Sequence, residues 1–521
     1  MCPPRAGAFK RGTEAAARAN RGGITRVAVF AAFAVIGCAS PSETRIAPSP
    51  DRAWAVPNTA TYSTLAKAAG EARAPVQDGG APPVDPGKAY ELAELIDIAE
   101  RTNPDTRITW ERAREAAFGL GIAEGVHEPM ISAKAAAAFQ RVPLPLPKTT
   151  LAPQGFFVAD TQAFLPALTL KWLLFDFGGK EASIDAATQT LAAANFGFNA
   201  MHQKIVFDVT RAYYTLSAAQ RRVEVAQVAQ NQSQVVQDAT ESRRSRGLST
   251  LPEVLQARER TAHAAYELQA ATAGEIDARM GLLEAMGVAP TTALRIAGVA
   301  GRPLPPQLEA TAETLVDRAL SQRPDLLARV AVVRAREADV RKAQSEFYPK
   351  IVVSGDLGQN IGRVRTTDIP GWARVNDVTY GASVFIEVPL FDGDLRKNRL
   401  GVAKSELRIA EDELELQRDR AARQVVKAYE ELKVALRQLE AAAVLLTAAQ
   451  QSYDAAIDSY RHGLATFVDV TTAQTALTKA RTADADATSL LYTATAALAF
   501  STGDLAPPTA ESVPAGSGRP R

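Results

Sequence analysis

Leu174-Phe175-Asp176-Phe177-Gly178-Gly179 and, 216 residues further on, Leu390-Phe391-Asp392-Gly393-Asp394 are the stretches from which the fold is read. Each closes an apolar run and opens a long run without proline, so each reads as a strand-to-helix junction. The surroundings repeat with them. At the same spacing Ala212-Tyr213 falls on Ala428-Tyr429, Gly247-Leu248 on Gly463-Leu464, and Gly287 on Gly503. Upstream the register is 220 residues, carrying Leu95, Pro104, Asp105, Pro129 and Ile131 onto Leu315, Pro324, Asp325, Pro349 and Ile351. The four-residue change of register lies between Pro129 and Phe175. A duplicated unit of about 200 residues is far longer than a solenoid repeat of roughly 20–50. It argues for two interlocked halves of one pseudo-symmetric body.

Within each half the pattern is helix, helix, strand, strand, very long helix, long helix. The first two helices meet at Asn103-Pro104-Asp105 and at Arg323-Pro324-Asp325, where proline in the first turn beside an acid starts a helix well. Alternating apolar and polar residues then give candidate hairpins, Ile131 to Phe139 with Phe164 to Phe175, and Ile351 to Leu357 with Thr379 to Leu390. From Lys180 to Arg246 and from Leu395 to His462 there is no proline and one glycine each, Gly197 and Gly401. Helices of that length run about 100 Å and must pair as coiled coils to hide their apolar stripes. After Gly247 and Gly463 the chain reverses and returns as helices of roughly 35–40 residues.

Two hairpins supply four strands with both edges open. Hydrocarbon cannot satisfy unpaired strand edges, and four strands cannot close a barrel, whereas three copies supply twelve, within the usual range. In Ala167 to Leu174, Thr169 and Lys171 fall on one face and Leu168, Leu170 and Trp172 on the other, as a barrel wall requires. The soluble alternative is a four-stranded sheet capping a helical rod. At the junctions Phe175 and Phe391 end the strands where an aromatic suits a membrane interface. Asp176 and Asp392 are placed to cap the helices that follow, and Gly178-Gly179 and Gly393 permit the bend. The reversals read Ser245-Arg246-Gly247-Leu248-Ser249-Thr250 and Arg461-His462-Gly463-Leu464-Ala465-Thr466. Turn chemistry accounts for the glycines and for the capping Thr250 and Thr466, but not for an exposed leucine at both places.

Composition narrows the function classes. The formal net charge is +1, giving no basic field for nucleic acid. The histidines, His127, His202, His263 and His462, are scattered, so no metal site or cofactor is expected. No phosphate loop, nucleophile elbow or cysteine nucleophile is present, and the chain is not expected to be an enzyme. Arg18, Arg21 and Arg26 precede the apolar run Val27 to Gly37, too short to span a bilayer and patterned as an export signal over 1–37. Val35-Ile36-Gly37-Cys38 is similar to a bacterial lipobox, in which the cysteine is acylated and becomes the mature N-terminus. Ordinary cleavage beside an incidental cysteine is the alternative. Residues 38–88 read as a Pro/Ala/Ser/Gly tether, 89–287 as the first repeat, 288–310 as a linker, 311–503 as the second repeat and 504–521 as a disordered tail.

The duplication, the two junctions and the Gly-Leu tips resemble the TolC-type outer membrane efflux proteins, over residues 90–503. The resemblance implies a mostly α fold with a small β part, in which each protomer gives long antiparallel coiled-coil helices to an α-barrel and four strands to a trimeric twelve-stranded barrel. It implies a passive exit duct in the outer membrane of a Gram-negative bacterium, serving a tripartite efflux or type I secretion system. The lipobox is similar to that of the lipid-anchored members, the subclass that serves resistance–nodulation–division pumps. The partners implied are a homotrimer, a periplasmic adaptor protein meeting Gly247, Leu248, Thr250, Gly463, Leu464 and Thr466 tip to tip, an inner-membrane pump and outer-membrane lipid. Such channels narrow their periplasmic entrance with two aspartates three residues apart after the second tip. Here Asp469 matches the first and Thr472 stands at the second, with Glu253 at the corresponding place after the first tip. Arg243, Arg244, Arg246 and Arg461 cluster nearby and are candidates for ion pairs holding a closed state. Asp469 is equally readable as a solvated helix-face acid. A lipid-tethered coiled-coil scaffold or adaptor that forms no pore is the rival function.

Overall fold

A computed structural model of the chain describes residues 84–505 apart from 146, 149, 151–153, 299–309 and 367–368, together with Ser49, Asp51 and Arg52. Cys38, the export signal, most of the tether and nearly all of the tail lie outside the described residues. The first repeat runs β1 (Ala89–Tyr90), α1 (Leu92–Thr102), α2 (Pro104–Gly125), β2 (Met130–Pro145), β3 (Phe156–Phe175), α3 (Gly179–Ser245) and α4 (Leu251–Met286). The second runs β4 (Arg295–Ile296), α5 (Ala312–Gln322), α6 (Pro324–Ser345), β5 (Lys350–Thr366), β6 (Ile369–Glu387), α7 (Leu395–Arg461) and α8 (Phe467–Thr502). Corresponding helices have the same lengths in both repeats: 11, 22, 67 and 36 residues. The start of the expected linker is not loop throughout, since β4 pairs in parallel with β1.

Each repeat closes its own core where the short first helix lies against the long helix and the returning one. In the first, Leu95, Ile98, Val209, Tyr213, Leu282 and Met286 are buried together. In the second, Leu315, Ala319, Val425, Leu432, Leu491 and Leu498 form the counterpart, with Leu315, Val425 and Leu498 at the places of Leu95, Val209 and Leu282. Small residues let the helices approach closely; Ala421, Ala435 and Ala480 are fully buried. Of the leucines and valines spaced along the middle of α7, Leu436 and Leu439 pack on this core, whereas Val434, Val444 and Leu445 stay exposed.

The four long strands form one antiparallel sheet in the order β2-β3-β5-β6. They exceed the expected hairpins at the ends far from the helices, because those ends carry Arg141, Asp160, Gln162, Arg363 and Arg365, polar residues that weaken the period-two signal. At the near end β6 stops at Glu387, short of the expected Leu390. Register fixes the faces. Ile131, Leu170 and Gly355 share one line across the sheet with Ala382, and Ala133, Leu168, Leu357 and Tyr380 share the next. That face is apolar from Ile131 to Phe139 on β2, roughly 26 Å along the strand, close to the ~25 Å apolar band of transmembrane barrels. The opposite face carries Ser132, Thr169 and Asp356 in one line and Lys171, Ser354 and Ser383 in another. No described helix is long and apolar enough to cross a membrane.

Candidate functional site

The chain changes from strand to helix through two consecutive left-handed residues at each junction. These are Phe177 (φ 55°) and Gly178 (φ 91°) before α3, and Gly393 (φ 64°) and Asp394 (φ 64°) before α7. Phe177, strained in that conformation, is held by Tyr348 stacked at 5.6 Å and Phe175 edge-on at 4.8 Å between ring centroids. The expected capping is met differently in the two copies. The residues flanking the helices are Gly178 and Asp394, and neither makes a side-chain cap. Asp392 takes that work from two positions back: its Oδ2 accepts from the Arg396 amide at 3.2 Å and from Arg396 Nε at 2.5 Å. Asp176 is buried, and a Cβ on Gly179 would sit 2.5 Å from its Oδ2 and from Ser345 Oγ, so any larger residue there must displace one of these side chains. Phe391 is 91% and Leu390 89% exposed, bare apolar surface at the foot of the edge strand.

Both tips are Schellman turns closed by capping boxes. At the first, the Leu248 amide donates to Arg243 O and the Gly247 amide to Arg244 O, both at 2.9 Å, with Gly247 at φ 75°. At the second, the Leu464 amide reaches Ser459 O at 2.8 Å and the Gly463 amide Tyr460 O at 3.1 Å, with Gly463 at φ 78°. Thr250 and Thr466 then cap α4 and α8. The turns leave Leu248 64% and Leu464 84% exposed.

The acids placed at the entrance by sequence are tied into these turns. Asp469 Oδ2 accepts from the Thr466 amide at 2.8 Å and its hydroxyl at 2.6 Å. Glu253 Oε2 accepts from the Thr250 amide at 3.0 Å and from the Ser249 hydroxyl. The Thr466 hydroxyl, and then its amide, hold the Asp469 carboxyl below its ordinary range; the Ser249 hydroxyl, then the Thr250 amide, do the same for Glu253. Thr472 is exposed one turn further along α8. Arg243 makes no salt bridge among the described residues, though its charge adds to the lowering of Glu253; its Nη1 donates to Tyr460 O at 2.9 Å and its guanidinium lies 4.7 Å from the Tyr460 ring centre, locking α3 to α7. Arg246 folds back onto Ser242 of its own helix. Beneath the tips Val236, Ala257, Tyr460, Phe467 and Val470 form a small apolar core. Sequence reasoning missed Tyr460 as the anchor of this link; its place one turn before the reversal was the available signal.

Among the described residues no group of three or more His, Cys, Asp or Glu stands where it could hold a metal. The model of the outer membrane efflux protein family matches residues 95–288 and 315–504, one match per repeat. Protein CyaE of Bordetella pertussis is 27% identical over 337 residues, 62% of this chain and 65% of CyaE. The pyoverdine export outer membrane protein OpmQ of Pseudomonas aeruginosa is 24% identical over 320 residues, 60% of this chain and 64% of OpmQ. The aligned stretch therefore spans less than two thirds of either relative. The crystal structure of the CmeC outer membrane channel of Campylobacter jejuni superposes with a TM-score of 0.69 at 16% identity, over 79% of this chain and 85% of CmeC. With both repeats matched, most of the chain is accounted for, and it belongs to the TolC-type outer membrane efflux protein family.

Proposed function

We propose that three copies of this chain close into a twelve-stranded barrel in the outer membrane, continued by an α-helical duct into the periplasm. The duct is passive, carrying small molecules outward from an inner-membrane pump through a periplasmic adaptor seated on the Gly-Leu tips. Cys38 is the proposed site of acylation. One observation carries the reading: a four-stranded antiparallel sheet, apolar on one face and polar on the other, whose outer strands β2 and β6 have no further neighbour among the described residues. Symmetry removes those edges where hydrocarbon offers no partners. The relatives named for pyoverdine export and as outer membrane channels accord with it.

The test is the subunit mass of the mature protein, extracted from outer membranes in mild detergent and measured by light scattering with detergent subtracted. Three chains per particle are expected, with single-channel conductance in planar bilayers. A monomer, or recovery in the soluble periplasmic fraction, leaves four strands unclosed and favours the tethered scaffold.

A further inference from the structure

Beyond the duct itself, the far end of the sheet's apolar face carries a cluster that the channel reading leaves unused. Arg363 of β5 and Arg374 of β6 are direct cross-strand partners, and like charges so placed are destabilising. Both Arg363 and Arg365 lie over the Trp372 ring, at 4.7 and 5.0 Å from its centre. Arg141 on β2 joins them on the same face through its pairing with Asp160. Against these four cations that face presents one carboxylate among the described residues, the buried Asp160. It takes Arg365 Nη2 at 2.9 Å and Arg141 Nη1 at 3.6 Å. Arg363 Nε donates to the neutral Gln162 at 2.7 Å. An excess of positive charge is therefore assembled across strands with the ring and acid needed to hold it in place, and among the described residues neither Arg363 nor Arg374 has an acid of its own.

Next to this cluster, on the side of the apolar band, lies a shallow hollow of about 650 Å³, lined by Ala137, Phe139, Phe164 and Ile361 and bounded by Arg363 and Arg374. An apolar hollow under a pair of guanidinium groups fits an amphiphile whose anionic headgroup sits above its hydrocarbon. Arginine forks suit phosphate oxygens. The position matches: the strands join helices at Met130, Phe175, Lys350 and Glu387, so the cluster stands at the end away from the periplasmic helices, at the level of outer-leaflet headgroups. We infer that this cluster binds a phosphate-bearing lipid of the outer leaflet, its phosphate between Arg363 and Arg374 and an acyl chain in the hollow. The inference rests on the outer-membrane reading above.

The experiment is native mass spectrometry of the detergent-extracted full-length protein titrated with bisphosphorylated lipid A. Three comparisons accompany it: dephosphorylated lipid A, the Arg363→Gln/Arg374→Gln double variant, and Lys134→Gln/Lys171→Gln on the polar face. Binding is expected to weaken at least tenfold for the dephosphorylated lipid and for the arginine variant, and to stay unchanged for the lysine variant. Equal affinity for the two lipids on the unsubstituted protein overturns the inference without relying on any variant's folding. Displacement of the lipid by inorganic phosphate alone assigns the cluster to a free anion and overturns it too. The same spectra report subunit count. A trimer with phosphate-independent lipid binding defeats only this inference, whereas a monomer defeats the channel reading and takes this one with it.

Discussion

Arg323 is 5% exposed and sends Nε and Nη2 to the two carboxylate oxygens of Asp325 at 3.0 and 2.8 Å. Its Nη1 donates to Ser501 O at 3.1 Å and Nη2 also to Gln424 at 2.9 Å, so one side chain ties the start of α6 to α7 and to the end of α8. In the first repeat the corresponding residue is Asn103, which caps α2 and donates to Ala285 O at 2.9 Å. Removing one partner of a buried pair costs about 3–5 kcal/mol. Arg323→Ala is expected near the lower end, because Asp325 keeps 31% of its side chain in solvent. Asn103→Ala is expected to cost about 1 kcal/mol. Denaturant midpoints of the detergent-solubilised protein measure both, and equal losses in the two repeats would contradict the assignment. Burial raises the Asp325 carboxyl, but the Arg323 hydrogen bond and charge outweigh it and hold it below its ordinary range. A lowered carboxyl contributes stability above the unfolded value, near 3.9, and loses it as pH falls through the folded value. Stability of the unsubstituted protein should thus be level from neutrality to about pH 5 and fall below about pH 4, with a shallower fall in Asp325→Asn.

The tips show how much of the elements was legible in sequence. Gly247-Leu248 and Gly463-Leu464 mark the reversals, because a positive φ and a capping threonine have strong residue signatures. The two 67-residue helices follow from the absence of proline. The far halves of the hairpins were not legible: charged residues and prolines there break the alternation, and only pairing across strands restores it. The capping boxes also change the weight of the site residues. Asp469 and Glu253 sit at the third helical position with their carboxylates on the turn, a geometry that sequence spacing permits but cannot distinguish from a ring of acids facing the duct. Leu248 and Leu464 remain exposed apolar side chains at the very reversals. Burying a leucine is worth about 1.5–3 kcal/mol. Leu248→Ser with Leu464→Ser is therefore expected to weaken adaptor binding by roughly tenfold to a hundredfold or more, while trimer mass stays unchanged. Pull-down of the proposed adaptor, co-expressed with the proposed pump, would read it, and full retention would move the docking surface away from the tips.

At the scale of the whole molecule, apolar surface is left bare where a neighbour would sit. Val434, Val444 and Leu445 on α7, and Leu390 and Phe391 below β6, are exposed in the single chain. Leu390 and Phe391 directly follow β6, one edge of the sheet, whereas β2 is the edge at the other side. β2 runs away from the helices and β6 runs back toward them, so joining β6 of one protomer to β2 of the next continues the antiparallel order without a break. Such a joint must also keep the faces in phase, since a slip by one residue would turn apolar side chains into the duct. Ala137 lies on the apolar face of β2, as Asn376, Val378 and Tyr380 do on β6. A cysteine at Ala137 combined with single cysteines stepped along β6 is therefore expected to crosslink between protomers at even-numbered positions and not at Asp377 or Thr379. The readout is covalent trimer on denaturing gels after a short thiol-specific reagent is applied to intact cells. A period of two confined to one register would establish closure through these edges, and crosslinking without that period, or none at any position, would refute it.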